Sequence, residues 1–159
     1  MSLFQMTTLG TASVSPNSAL AAVIRTRANI FEMTEAAEKA VLCPKDTGSL
    51  PHDLRASIAA RIAAKAGDTT LAARYLEKAN ALALVSDPAQ DGGADHALLV
   101  QFVDKAANAT KDIASTDIAD LQAAGVSDAD IVRLCELVAF VAYQLRVVAG
   151  LRLLHGQTA

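Results

Sequence analysis

Few residues of this chain are of the types that carry enzyme chemistry, and their spacing matches no catalytic or metal-binding motif. The 159 residues include two cysteines, Cys43 and Cys135, and three histidines, His52, His96 and His155. No His-x-x-x-His or Glu-x-x-His sequence occurs, so we expect no metal site. The cysteines form no motif with each other, and we predict reduced thiols that are buried like small apolar side chains.

The composition favours a single all-helical domain, and the lack of a secretion signal favours the cytoplasm. Hydrophobic residues make up 52% of the chain and aromatic ones only 4%, and much of the apolar content is Ala, the best helix former. A net charge of −3 without a basic cluster argues against nucleic-acid binding. The first ten residues lack the features of a signal peptide, and the apolar run 137–148 is too short to span a bilayer. We therefore predict no membrane association.

Helical periodicity and capping residues predict six or seven helices. We expect an N-terminal extension over residues 1–16, ordered only if it docks, and one domain over 17–159. Within that domain, the predicted helices run from 17 or 18 to about 25, and over 28–42, 51–66, 68–84, 95–109, 117–124 and 127–154.

Three finer expectations follow from the same patterns. In the second helix we predict a core-facing stripe. Ser49 is expected to cap the third helix, and Gly150 is expected to allow close packing of the last one. The members of the stripe are Ile30, Phe31, Met33, Ala37, Ala40 and Val41.

Several segments carry a family resemblance. They read Asp95-His-Ala-Leu-Leu-Val-Gln-Phe-Val-Asp-Lys, Asp120-Leu-Gln-Ala-Ala-Gly-Val-Ser-Asp-Ala-Asp-Ile-Val-Arg, Val138-Ala-Phe-Val-Ala-Tyr-Gln-Leu-Arg-Val-Val-Ala-Gly-Leu and Arg27-Ala-Asn-Ile-Phe-Glu-Met-Thr-Glu-Ala-Ala-Glu-Lys-Ala-Val-Leu, with weaker matches at Leu50-Pro51, Arg61-Ile-Ala-Ala and Gly67. Together they resemble the AhpD-like, or carboxymuconolactone decarboxylase (CMD) domain, family and its peroxidase-related branch. The resemblance covers roughly residues 18–155 and implies an AhpD-like helical bundle.

The resemblance also identifies the positions where the family keeps its redox site. Active members carry Cys-x-x-Cys-x-x-x-His at the start of a helix, with an upstream Glu. The matching positions here are Asp68, Leu71, Tyr75 and Ala56. An aspartate cannot form a sulfenic acid and a leucine cannot resolve one, so the resemblance implies that the family's alkylhydroperoxidase or peroxiredoxin activity is absent. We expect Asp68 to cap a helix instead.

A candidate pocket can still be assigned by the resemblance. Arg61 and Arg146 match family arginines, and with Tyr75 they would hold a small acidic or carbonyl ligand, Tyr75 acting as a hydrogen-bond donor or general acid. The alternative is that the arginines form ion pairs between helices or subunits. Further polar residues expected near this pocket are Arg55, Arg74 and Glu136.

Three functions stay open at this point. The first is a non-catalytic binding or structural subunit, which pairs with a Cys-containing AhpD-like relative. The second is a cofactor-independent lyase or isomerase that acts on a small carboxylated substrate, as the decarboxylase branch implies. The third is residual thiol peroxidase activity through Cys43 or Cys135. The family also implies a homo-oligomer, as a dimer, trimer or hexamer, and no cofactor.

Overall fold

All regular structure in the described part of the chain is helical. The computed structural model describes residues 2–77 and 79–156. Within them, single 3-10 turns at Leu3–Gln5 and Thr110–Asp112 accompany nine α-helices: α1 Thr7–Thr11, α2 Ala19–Arg25, α3 Ala28–Leu42, α4 His52–Lys65, α5 Thr69–Leu76, α6 Ala83–Ser86, α7 Gly93–Asn108, α8 Ser115–Ala123 and α9 Asp128–Leu154. The all-α prediction is confirmed. The count exceeds six or seven because α1 and α6 are separate helices of only five and four residues.

Most predicted helix ends agree with the structure. Ser18, Asp68 and Ser127 each accept a hydrogen bond from a backbone N–H of the first helical turn. Gly67 follows α4 with φ +85°, the left-handed conformation expected at a helix C-terminus. The cap assigned to Ser49 is wrong, because its hydroxyl donates to Asp130 Oδ2 of α9 at 2.7 Å, and Pro51 precedes α4 instead.

The predicted helix over 68–84 is interrupted in the structure. α5 ends at Leu76, and two of the following backbone N–H groups bind side chains of α4. The Asn80 N–H donates to Asp53 Oδ1 and the Leu82 N–H donates to the Ser57 hydroxyl, each at 3.0 Å. Because these donors are satisfied by α4, the chain turns there and restarts as α6.

The core-facing stripe predicted for α3 is only partly correct. Phe31 and Val41 of that stripe are partly buried against the cores. The other four members are exposed, namely Ile30, Met33, Ala37 and Ala40. The inward face carries Phe31, Thr34 and Glu38, whose spacing of three and four residues also fits one side of a helix. Two of these three residues are polar and hydrogen-bonded, so a hydrophobic pattern cannot reveal this face.

The hydrophobic interior has two parts. The larger core joins α4, α5, α7, α8 and α9, and the smaller one packs the N-terminal segment onto the end of α9. In the smaller core Leu9, Ala12 and Val14 meet Val148 and Leu151. The segment before α2 is therefore ordered by docking, and it brings α1 to one side of the site described below.

The last helix, α9, is central to the packing. It contacts α1, α3, α4, α7 and α8. Its 27 residues contain an 18-residue window of mean hydropathy 1.7, so by length and composition alone it qualifies to cross a membrane. A core helix of a soluble protein has the same properties. Gly150 is exposed with no atom within 4 Å of an added β-carbon, so the close packing expected there is not found.

Candidate functional site

A cleft of about 620 Å³ lies between α3, the start of α4, the end of α5 and the N-terminal residues Gln5, Met6 and Thr7. Two of the four positions that the resemblance identified, Ala56 and Tyr75, line it. Its ionisable side chains are Glu32, Glu35, Glu38, Lys39, Cys43, His52, Asp53, Arg74, Tyr75 and Glu77. The size is typical of a site for a small molecule.

A hydrogen-bonded chain of side chains runs from the cleft into the protein. The Tyr75 hydroxyl donates to Gln144 Oε1. The amide nitrogen of Gln144 donates to Glu38 Oε2 at 2.6 Å and to the Thr8 hydroxyl at 3.0 Å. The Thr7 hydroxyl donates to Glu38 Oε1 at 2.7 Å. The network therefore ties α1, α3, α5 and α9 together behind the cleft.

Burial explains why these groups are so fully connected. Gln144 is completely buried and Tyr75 is 5% exposed, and a buried polar group without a partner is costly. Sequence reasoning missed Glu38 and Gln144 as site residues. The available indication for Gln144 was its position inside the apolar run 137–148, where a lone amide needs a buried partner.

The two ionisable groups of this network have shifted pKa values. Burial raises the pKa of Glu38, and the negative charge of Glu35 adds to this, while hydrogen bonds from Gln144 and Thr7 oppose it. Burial, together with the negative charges of Glu38 and Asp68, raises the pKa of Tyr75 well above 10.0. Tyr75 is thus held as a neutral donor, and the titration of Glu38 is moved toward neutral pH.

Asp68 and Leu71, the positions of the family's two thiols, hold structural side chains. Asp68 accepts from the Leu71 N–H at 2.9 Å, which confirms it as a helix cap. Its two carboxylate oxygens also accept from Nη1 and Nη2 of Arg152, at 2.8 and 3.1 Å. Leu71 is fully buried in the larger core. Neither side chain belongs to the lining of the cleft.

The two arginines expected beside Tyr75 are elsewhere. Arg61 is 3% exposed and binds both carboxylate oxygens of Asp104 at 2.8 Å, and it also donates to the carbonyls of Val85 and Asp87. Arg146 is exposed on α9. Neither lines the cleft, so the predicted grouping of Arg61, Tyr75 and Arg146 in one pocket is not what the structure shows.

The further polar residues expected near the pocket lie in three different places. Arg74 lines the cleft. Arg55 is 1% exposed and donates to the carbonyls of Val41, Thr47 and Leu50, which anchors the loop between α3 and α4. Glu136 is exposed on α9 and is no part of the cleft.

Both cysteines are exposed, so the prediction of buried thiols is wrong. Cys43 follows the last residue of α3 at the border of the cleft. The Cys135 thiol is partly covered, and this desolvation, with the nearby charge of Glu136, raises its pKa. Within residues 2–77 and 79–156, no three His, Cys, Asp or Glu side chains gather as a set that could hold a metal ion.

No family model, curated protein or solved structure matches this chain. The likeness to the AhpD-like family therefore rests on the sequence segments given above. The regular structure of the described residues is all-α.

Proposed function

We propose that this chain is an AhpD-like CMD domain protein without a redox site, which serves as a non-catalytic binding or structural subunit. In this proposal the cleft beside Tyr75 holds a small ligand. The observation that carries it is the environment of Asp68 and Leu71. Asp68 caps α5 and forms an ion pair with Arg152, and Leu71 is buried in the core.

The thiols elsewhere support the same proposal. A nucleophilic cysteine needs a lowered pKa, as at a helix N-terminus or beside a cation. Cys135 has a raised pKa instead. Cys43 follows the C-terminus of α3 and therefore does not lie at a helix N-terminus.

The test is reduction of cumene hydroperoxide by the purified protein with a dithiol reductant. We expect no rate above the background without protein. Cys43→Ser and Cys135→Ser serve as paired variants. A clear rate that one of these substitutions abolishes would contradict the proposal and favour residual alkylhydroperoxidase-type activity through that cysteine.

A second candidate is a cofactor-independent lyase or isomerase, and Glu38 is the observation that favours it. A carboxylate of raised pKa in a cleft, linked to a neutral tyrosine, is the arrangement of a general base beside a hydrogen-bond donor. Turnover of small carboxylated lactones, followed by NMR, would test this. Glu38→Gln should abolish turnover and Glu136→Gln should not. An unchanged rate in Glu38→Gln would exclude Glu38 as the base.

We also propose that the chain is cytoplasmic, that it forms a homo-oligomer, and that it can pair with a Cys-containing AhpD-like relative. Support comes from exposed apolar side chains on α3 and α9, where Met33 is 66% and Val132 57% exposed. Light scattering on the purified protein should give a mass of a dimer, trimer or hexamer. A monomer at micromolar concentration would contradict the homo-oligomer.

A further inference from the structure

The cleft has an uneven distribution of charge. Among the described residues that line it, five carry a carboxylate and two, Lys39 and Arg74, carry a fixed positive charge. A concave site lined mainly by one sign of charge attracts ligands of the opposite sign, because its low-dielectric walls focus the field. The carboxylates belong to Glu32, Glu35, Glu38, Asp53 and Glu77.

The hydrogen-bond partners of Glu38 are neutral. Its oxygens accept from the Thr7 hydroxyl and the Gln144 amide, and within the described ranges it takes part in no ion pair. Buried carboxylates are normally compensated by a cation. Burial raises the pKa of Glu38, and the hydrogen bonds from the two neutral donors lower it by less than burial raises it.

Arg74 also lines the cleft, but within the described residues it forms no ion pair with Glu38. Its guanidinium packs over Gly10 of α1, so closely that a β-carbon at Gly10 would lie 2.7 Å from Arg74 Nη2. It acts on Glu38 through space, and this is the weakest of the influences on that carboxyl group. The cleft thus contains a carboxylate that the described protein leaves without a direct cationic partner.

We propose that the cleft binds a small organic cation, whose ammonium group lies against Glu38 and Glu35 and whose carbon chain lies along Met6, Ala56 and the Tyr75 ring. This inference rests on the proposed function, in which the cleft is a ligand site. An ammonium has three donors and needs only a few acceptors. It therefore suits a cleft in which no three acidic side chains of the described residues converge as a metal-ligand set.

The experiment is isothermal titration calorimetry of the full-length protein at low ionic strength with four probes. They are 1,4-diaminobutane, the neutral 1,4-butanediol, the anion succinate and magnesium chloride. We expect binding of the diamine alone, weakened by added salt because the attraction is electrostatic. Glu38→Gln and Glu35→Gln should each weaken it about tenfold or more, and the matched control Glu136→Gln should leave it unchanged.

Each contrary result is distinct. Diamine binding that is unaffected in both cleft variants, or equal binding of butanediol, would overturn the inference, and so would binding of magnesium with the same dependence on Glu38. Succinate binding that requires Arg74 would overturn the ligand class while leaving the cleft as a ligand site. Binding of none of the probes would also overturn the inference, whereas only the hydroperoxide assay can refute the absence of thiol catalysis. Thermal melts of both variants show whether each is folded. If Glu38→Gln does not fold, Glu35→Gln tests the site.

Discussion

Arg61 and Arg146 give a matched pair of substitutions, because the family resemblance assigns both to the pocket and the structure gives only one of them a buried role. We predict that Arg61→Met destabilises the protein strongly and that Arg146→Met does not. Arg61 is 3% exposed and makes four hydrogen bonds, two to Asp104 and two to backbone carbonyls. Arg146 is exposed.

The magnitude follows from what Arg61→Met leaves behind. Breaking a buried ion pair by removing one partner costs about 3–5 kcal/mol. Asp104 is 22% exposed and keeps Lys65 at 2.8 Å, so part of this cost is avoided and we expect a loss of about 2–4 kcal/mol. For a chain of this size, that lowers the melting temperature by roughly 4–16 °C. An exposed substitution such as Arg146→Met stays within about 0.5 kcal/mol of the original protein.

The assay is urea unfolding at pH 7, followed by far-ultraviolet circular dichroism, with both variants measured beside the unsubstituted protein. Equal m-values are needed, since then a change of midpoint reports stability alone. Stability losses within about 0.5 kcal/mol for both variants would refute the structural role of Arg61. A loss for Arg146→Met as large as that for Arg61→Met would show that Arg146 has a partner, as in a subunit interface.

Three further predictions concern particular contacts. Burial by itself would raise the pKa of Asp130, but its hydrogen bonds lower this pKa from 3.8 to about 2. Ionised Asp130 therefore stabilises the folded protein fully above pH 3.8, and this stabilisation is lost as the pH falls toward 2. Urea unfolding at several pH values should show a steeper loss of stability for the original protein than for Asp130→Asn. Gly150→Ala should stabilise the exposed helix position by about 0.5–1 kcal/mol. Gly92→Ala should destabilise the protein by about 1–3 kcal/mol in the same assay, because Gly92 has a φ of +92° and the added β-carbon would lie 2.8 Å from the backbone of His96 in the first turn of α7. The opposite order would contradict the packing described. Tyr75→Phe should cost about 1–3 kcal/mol because the buried Gln144 carbonyl oxygen loses its donor, and an unchanged unfolding midpoint would mean that this bond is not formed.

Local sequence chemistry was enough to find most helices. Ser18, Asp68 and Ser127 cap the helices as predicted, because a capping side chain binds a backbone group only two or three residues away. The same local reasoning failed at Ser49, whose hydroxyl binds Asp130, 81 residues further along the chain. It failed again at residue 80, where the backbone binds α4.

The candidate site was only partly predictable for the same reason. The family resemblance led to Tyr75 and Ala56, and both line the cleft. Glu38 and Gln144 enter the site through contacts between α3, α5 and α9, and no local pattern encodes those contacts. Arg61 was predicted to bind a ligand but does not line the cleft. Its side chain could bind an acidic ligand, but Asp104 and two backbone carbonyls already satisfy its donors.

The proposed absence of a thiol redox site can be measured in a single-turnover experiment. The reduced protein is treated with equimolar cumene hydroperoxide at pH 7, and the remaining thiols and any trapped sulfenic acid are counted by intact-protein mass spectrometry. We expect the hydroperoxide to oxidise Cys43 and Cys135 no faster than it oxidises free cysteine. Rapid stoichiometric oxidation of either thiol would show that the protein has a reactive thiol and would refute the proposed loss of redox chemistry.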